Sequence, residues 1–307
     1  MDVRALRTFI AIVENRGFAH AANALNYSQP TVSAHISGLE EDLGVELFFR
    51  DRRPVELTPP GAALLPHARV ILNQLEAARG DVLDFLGAKR GTVRLGTYPS
   101  ATAGYMPRLL QQFRSVYPLI DIQLVELGGA YMEQAALSGD VNLFLRQTTP
   151  PLSTTIFDSQ PLWREDFKVI LWKDHELAKL PGRIPARALL EHPLIMTGRY
   201  HTDAILTHPF WHRLGQPPRI AFEVSQPQSL FELVRAELGV GVTTALAVHV
   251  SRIDDLVVRS IDDDMAIRDV CLYWPRSRAL SMASQIVKTF MLEHASMPPS
   301  ARAQSAS

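Results

Sequence analysis

Apolar residues recur at helical spacing at Leu6, Phe9, Ile10 and Val13, which predicts an amphipathic helix over residues 3 to 15 that stops at Gly17. A short second helix follows in "FAHAANAL", with Ala21, Ala22 and Leu25 facing inward. The next pattern, "NYSQPTVSAHISGLEEDLG" over residues 26 to 44, separates two faces. Val32, Ile36, Leu39 and Leu43 make an apolar back, while Gln29, Pro30, Thr31, Ser33, Ala34 and His35 make a small, uncharged front. Ser28 is suited to cap this third helix, and Pro30 falls in its first turn, where a missing N–H costs little. Gly44 closes it.

Two β-prone runs, Val45 to Phe49 and Val55 to Thr58, then flank a charged turn containing proline and predict a hairpin. Three helices and a hairpin make a winged helix-turn-helix. From Thr58, a second cap followed by Pro59 and Pro60, apolar positions continue through Leu64, Leu65, Ala68, Ile71, Leu72, Leu75, Ala78, Val82 and Leu86. That predicts a rod of about 45 Å with one apolar stripe. The stripe calls either for a second copy of the helix, making a dimer, or for packing on its own chain.

After "GAKRG" the texture becomes alternating strands and helices. Strands are predicted at "TVRLGT", "IDIQLVEL" and "VNLFLR", with helices near 104–116 and 130–138. A second unit runs through "FKVILW", "HPLIM", a helix near 203–213, "RIAFEV", a helix near 227–237, "GVGVT" and "LVVRS". The strand "RDVCLYW" and a helix over 279–295 close it. This βαβ periodicity implies parallel sheets with ligand loops at strand C-termini. The fold class expected is α/β overall, led by a mostly α winged helix-turn-helix and a long linker helix.

Composition narrows the function. A formal charge of −1 argues against coating nucleic acid or membrane by bulk charge. One cysteine, Cys271, permits no internal disulfide, and its apolar setting reads as a buried structural thiol. The charged start "MDVRALRTFIAIVENRGF" reads as neither signal peptide nor span, so a cytoplasmic protein with no membrane partner is expected. No HExxH, paired CxxC, P-loop or GxSxG pattern is present, and the consecutive acids of "IDDDM" read as a solvated loop, so neither a metal site nor a catalytic site is expected.

The run "LRTFIAIVENRGFAHAANALNYSQPTVSAHISGLEEDLGVELFFRDRRPVELTPPGAALLPHA" resembles the LysR-type transcriptional regulators. The shared features are the Ala-Ala of helix two, Ser-Gln-Pro-Thr-Val-Ser opening the recognition helix, "LEEDLGVELF", and Leu-Thr before the linker. Further along, "YMPRLLQQFRSVYPLIDIQLVELGG" and "LVRAELGVGVTT" resemble the two effector subdomains. The resemblance implies a winged helix-turn-helix over 1–58, a linker helix for dimerisation over 59–89, and a two-lobed, periplasmic-binding-protein-like effector domain over 90–295. Its lobes are expected at 91–162 plus 269–295 and at 163–268; the tail 296–307 has the composition of a frayed terminus.

A recognition helix lies in the major groove with its N-terminal residues at base edges. Gln29 suits adenine; Thr31 and Ser33 suit base or phosphate; Pro30 and Ala34 suit a thymine methyl. Ser28, His35 and Ser37 complete the candidate surface, with Arg50, Arg52 and Arg53 of the hairpin as cations for phosphate or minor groove. One departure stands out: the family commonly carries an arginine within the stretch that here reads "SAHI", with Ala34 and His35. Residues 1–58 hold six basic and eight acidic side chains, a slightly acidic balance for a DNA-binding domain.

For the effector, family positions carried onto this chain give Tyr98, Ser100, Ala101 and Thr102 after the first strand, then Gly128 and Gly129, then Arg146. On the other lobe they give Gly198, Tyr200 and His201, with Gln226 and Thr243. Hydroxyls and N–H groups at a helix start favour an anion, and Arg146 is the expected carboxylate clamp, its rival reading being a surface ion pair. "VNLFLR" departs from the acidic-small strand common in the family, and Tyr98 would narrow the cleft. The resemblance implies double-stranded promoter DNA, a small-molecule effector, RNA polymerase and further copies in a homodimer or homotetramer as partners, and no cofactor. The rivals are a regulator that works without a ligand, and an enzyme or solute-binding protein built on the lobes.

Overall fold

The computed structural model describes residues 1–49, 52, 54–84, 90–197 and 208–295. Arg50, Arg53, Gly198, Tyr200, His201, residues 85–89, the first part of the helix expected near 203–213, and the tail 296–307 lie outside the described residues. The chain divides into two compact units, Met1–Gly91 with Leu137–Asp140, and Thr92–Ala136 with Val141–Ser307.

In the first unit, α1 (Val3–Asn15), α2 (Phe18–Leu25) and α3 (Gln29–Leu43) close on one core of Leu6, Phe9, Ile12, Ala21, Ala22, Val32, Ile36 and Leu39. Each helix ends in a left-handed residue: Arg16, Asn26 and Gly44, at φ 52°, 55° and 69°. Ser28 caps α3 as expected, so Pro30 marks its start rather than breaking it. The hairpin is shorter than its sequence suggested: β1 is Phe48–Phe49 and β2 is Glu56–Leu57. It is held by side chains instead. Buried Glu40 accepts the Leu47 N–H at 2.8 Å, and the Thr58 hydroxyl donates to the Glu46 carbonyl at 2.6 Å while accepting the Gly61 N–H at 3.2 Å.

That second contact starts α4 (Pro59–Asp84), which at 26 residues is about 39 Å long and carries Pro66 inside it. Part of its stripe packs on its own chain. Leu64, Leu65, Ala68 and Leu72 pack on the core of their own unit, whereas Ile71 and Val82 are exposed.

The second unit is built on strands β3 (Gly91–Thr97), β4 (Ile120–Glu126), β5 (Leu143–Gln147), β6 (Phe157–Trp172), β7 (Ile184–Pro185), β8 (Leu194–Thr197), β9 (Ile220–Val224), β10 (Val240–Thr244), β11 (Leu256–Asp262) and β12 (Ile267–Pro275). Their order is β4-β3-β5-β12-β6-β10-β8-β9, with β11 pairing β6 and β7. Parallel pairs β3–β5, β8–β10 and β8–β9 carry the predicted βαβ character. The run "FKVILW" proves to be the second half of one 16-residue strand. Residues Phe157–Asp166 of β6 pair with β12, and Phe167–Trp172 pair with β10 and β11. The passage from lobe one to lobe two therefore falls between Asp166 and Phe167, beyond the break expected after residue 162.

Helices cover both faces of each half. Lobe one has α5 (Pro99–Gly104), α6 (Met106–Val116) and α11 (Met282–Glu293) on one side and α7 (Gly129–Ser138) on the other. Lobe two has α8 (Pro209–Arg213), α9 (Pro227–Arg235), α10 (Ala245–His249) and two 3-10 turns at Glu176–Lys179 and Ala186–Glu191. Among the described residues no helix is long and apolar enough to cross a membrane.

Candidate functional site

The exposed side of α3 carries Gln29, Pro30, Ser33, Ala34 and Ser37, with the Ser28 cap just ahead of it. Ser28 Oγ accepts the Thr31 N–H at 3.3 Å and lies 2.7 Å from the Thr31 hydroxyl, so the two side chains hold each other at the helix start. No Asp, Glu, Lys or Arg occurs from residue 28 to 37, and the N-terminal end of the helix adds the positive end of its dipole. The result is a surface of amide, hydroxyl and methyl groups, the chemistry that meets base edges in a major groove.

His35 departs from the front on which the pattern placed it. It is half-buried and turned toward α1, its Nδ1 2.9 Å from the hydroxyl of Thr8 and its ring edge-on to Tyr27 at 5.5 Å. Of the hairpin arginines, Arg52 pairs with Glu56 and lies over the Phe49 ring at 4.3 Å.

In lobe one, β3 ends at Thr97 and Tyr98 caps a helix that the sequence reading treated as a loop. Pro99 sits at its first position, and Thr102 folds back to donate to the Tyr98 carbonyl at 3.1 Å. Ser100 and Ala101 are buried, and the Ala101 methyl belongs to the lobe-one core, so any contact it offers a ligand is through its backbone. Gly128 and Gly129 stand at the start of α7, where the Gly128 carbonyl accepts from Met132 N at 3.1 Å.

Lobe two meets this end with three threonines. Thr197, at the end of β8, lies 3.2 Å from buried Thr243 of β10, and Thr244 caps α10. Gln226 caps α9 with no hydrogen bond from its side chain to the helix.

Arg146 does not stand ready for a carboxylate. It is buried, paired with Glu133 at 3.3 Å, and donates to the carbonyls of Gln147 and Pro150 at 3.1 and 2.7 Å. It also borders Tyr273, whose phenol burial pushes up to about 12. The rule that ligands gather at strand C-termini located Arg146, but Glu133, one helix earlier, supplies its anion.

The cation at the lobe junction is instead Arg268, near the start of β12, which the sequence reading did not single out. Its Nη2 lies 2.7 Å from Glu165 Oε1 and 3.4 Å from both the Tyr98 hydroxyl and Thr244 Oγ1. Its guanidinium carbon is 5.1 Å from the centre of the Tyr98 ring. Glu165, in the middle of β6, is buried and receives N–H groups from Leu246 at 2.9 Å and the Trp163 indole at 3.4 Å. One guanidinium thus touches the helix start of each lobe while its charge is balanced from the crossing strand. A signal is present in "AIRDV", an arginine two residues ahead of the buried run of β12, but its meaning depends on Glu165, about a hundred residues away.

Residues 3–62 match the family model of bacterial regulatory helix-turn-helix proteins of the lysR family, and residues 86–296 match the LysR substrate binding domain. The chain belongs to the LysR family. It is a DNA-binding transcriptional regulator with a substrate-binding domain, and its relatives are regulators rather than enzymes. It is 30% identical to the uncharacterised HTH-type transcriptional regulator YwbI of Bacillus subtilis, over 93% of this chain and 94% of that one. The same fold is seen in full-length OxyR from Pseudomonas aeruginosa, at a TM-score of 0.73, 21% identity and coverage of 95% and 98%. CbnR in complex with its target DNA superposes at a TM-score of 0.69, 22% identity and coverage of 96% and 99%.

Proposed function

We propose that this regulator reads operator DNA with the exposed side of α3 and that a small anionic effector, a carboxylate, binds where its two lobes meet. Arg268 carries the second half of the reading. A guanidinium shared between Tyr98 of one lobe and Thr244 of the other is placed to exchange weak neutral partners at 3.4 Å for a charged one. Tyr98, Ser100 and Thr102 would line lobe one's side and Thr197, Thr243 and Thr244 lobe two's, with N–H groups at the start of α5 offering further donors. Gly128, Gly129 and Gln226 flank that space. Glu165 keeps the buried cation neutralised until the anion arrives.

The exposed Ile71 and Val82 of α4 support pairing of this helix with a second copy, and a dimer of such dimers would place two recognition helices on each half of a dyad-symmetric promoter site. An effector that binds one lobe arrangement more tightly shifts the assembly toward it, changing DNA bend and contact with RNA polymerase. Only differential affinity for the two arrangements produces such a shift.

The test is a thermal-shift screen of the full-length protein against mono- and dicarboxylates, repeated with Arg268→Gln. A carboxylate that raises the melting temperature of the wild type and leaves Arg268→Gln unmoved supports the reading. A ligand that stabilises both alike places the effector elsewhere, and no response to any anion favours a regulator that works without one.

A further inference from the structure

Gly38 stands in the second half of α3, and nothing in its own fold asks for a glycine there. A Cβ added at Gly38 would meet no atom within 4 Å, and its φ is not positive. Two other glycines of the first unit are explained by the fold: Gly44 ends α3 at φ 69°, and Gly61 lies against the Leu47 carbonyl. Gly38 has no such reason. Glycine is nevertheless among the least favourable residues inside a helix, because it gives up the most backbone freedom on folding and packs nothing in return. The fold alone favours alanine at this position.

The surroundings of Gly38 show where the constraint arises. It is exposed, one turn beyond Ala34 and next to Ser37, on the outer side of the helix. From residue 30 to 38 the exposed residues are Pro30, Ser33, Ala34, Ser37 and Gly38, none larger than proline. The next exposed residue is Glu41, the first charge on that side. An α-helix with its side chains is about 10–12 Å across, and the major groove is about 12 Å wide. Ordinary side chains therefore fill the groove, whereas a helix whose outer side is this small can sink until the groove wall meets its main chain. Glu41 ends that approach, since a carboxylate repels phosphate.

We infer that Gly38 is a positioning residue for DNA recognition: its missing side chain admits the sugar–phosphate wall of the major groove to the backbone of α3. That close approach sets the depth at which Gln29 and Ser33 meet the bases. Depth matters most for Ser33, whose hydroxyl is one bond beyond its Cβ. A Cβ at position 38 lifts the helix and withdraws both side chains together. The inference rests on the reading of α3 as the DNA-contacting helix.

The test uses the opposite signs expected for folding and binding. The full-length wild type enriches a duplex from a randomised double-stranded library, and anisotropy compares that duplex with a scrambled one. Calorimetry follows the melting of the first unit. Gly38→Ala is expected to raise the melting temperature by a few degrees, because alanine is the better helix former. It should weaken binding to the enriched duplex roughly five- to hundredfold, the range for one extra carbon in a packed contact. Binding to the scrambled duplex and the salt slope should stay at their wild-type values, since no charge has moved. Gly38→Leu should no longer discriminate between the two duplexes. Affinity of Gly38→Ala for the enriched duplex equal to or above that of wild type overturns the proposal. A lowered melting temperature also overturns it, because Gly38 would then serve the fold. If Gln29→Ala and Ser33→Ala bind the enriched duplex as wild type does, α3 is not the reading helix, and that reading fails together with this proposal.

Discussion

Glu165 and Arg268 form an ion pair at 2.7 Å where the two crossing strands pass between the lobes, and each also meets a group of lobe two, the Leu246 N–H and the Thr244 hydroxyl. Removing one partner leaves the other charge buried and uncompensated, a loss of about 3–5 kcal/mol. Arg268→Met should therefore destabilise the second unit strongly. The double variant Glu165→Gln with Arg268→Met, which removes both charges, should recover most of that loss because an apolar replacement of a buried pair is close to neutral. Urea unfolding of wild type, Arg268→Met, Glu165→Gln and the double variant measures the coupling, and a double variant as unstable as Arg268→Met would contradict it.

How much of this was legible in the sequence differs between the units. Local signals suffice for the first. Ser28, Pro30 and Gly44 mark the ends of α3 through backbone chemistry alone, and Val32, Ile36 and Leu39 declare its buried side by spacing. The second unit reads well where β-strands and helices alternate, and fails where meaning depends on distant partners. Nothing near Phe157 announces a 16-residue strand that changes partners halfway, because each half satisfies an ordinary strand pattern. Arg146 and Arg268 show the same limit. Both are arginines beside apolar strands, and only the tertiary positions of Glu133 and Glu165 decide which is absorbed in its own lobe and which spans the junction.

Gly61 marks a close approach that no other residue fits. A Cβ there would come 2.2 Å from the Leu47 carbonyl oxygen and 2.9 Å from Leu57 Cδ2, and the first of these is backbone that cannot swing aside. Gly61→Ala must push the start of α4 away from the hairpin, at a cost of about 1–3 kcal/mol. The melting of the first unit should fall and operator binding weaken, while any effector-induced stabilisation of the second unit persists. Calorimetry that resolves the two transitions checks this, and equal shifts of both would count against it.

Lys168 is almost fully buried in β6, its ammonium 2.8 Å from the Ser260 hydroxyl and 3.8 Å from Asp166. Burial lowers its pKa, with Asp166 acting in the opposite direction. A lysine whose folded pKa lies below its unfolded value of 10.5 binds more protons when unfolded, so charging it opposes folding at neutral pH. That penalty fades as pH rises from the lowered pKa toward 10.5. Lys168→Met should accordingly match or exceed wild-type stability near pH 7, with the difference shrinking on the alkaline side. Thermal melts at a series of pH values test the sign; a variant that loses stability near pH 7 and regains it at high pH would refute it.

The charge balance of the first unit sets its grip on DNA. Residues 1–58 carry six basic side chains, and two of them, Arg7 and Arg52, are already paired with Glu76 and Glu56. At most four then meet phosphates without breaking an ion pair. Each neutralised phosphate contributes about 0.9 to the dependence of log K on log salt, so the slope should be no steeper than about −3.6 per protomer. Such a shallow electrostatic term predicts weak binding by one unit and, with α4 as the proposed pairing helix, specific binding that depends on joining several units. Glu56→Gln, which removes the carboxylate paired with Arg52, should steepen the slope by up to about 0.9 per protomer and strengthen binding to operator and scrambled duplex alike. Anisotropy across a salt series on both duplexes decides the matter. A wild-type slope well beyond −4 per protomer would mean that cations outside residues 1–58 contact the backbone, and an unchanged slope in Glu56→Gln would remove Arg52 from the phosphate set.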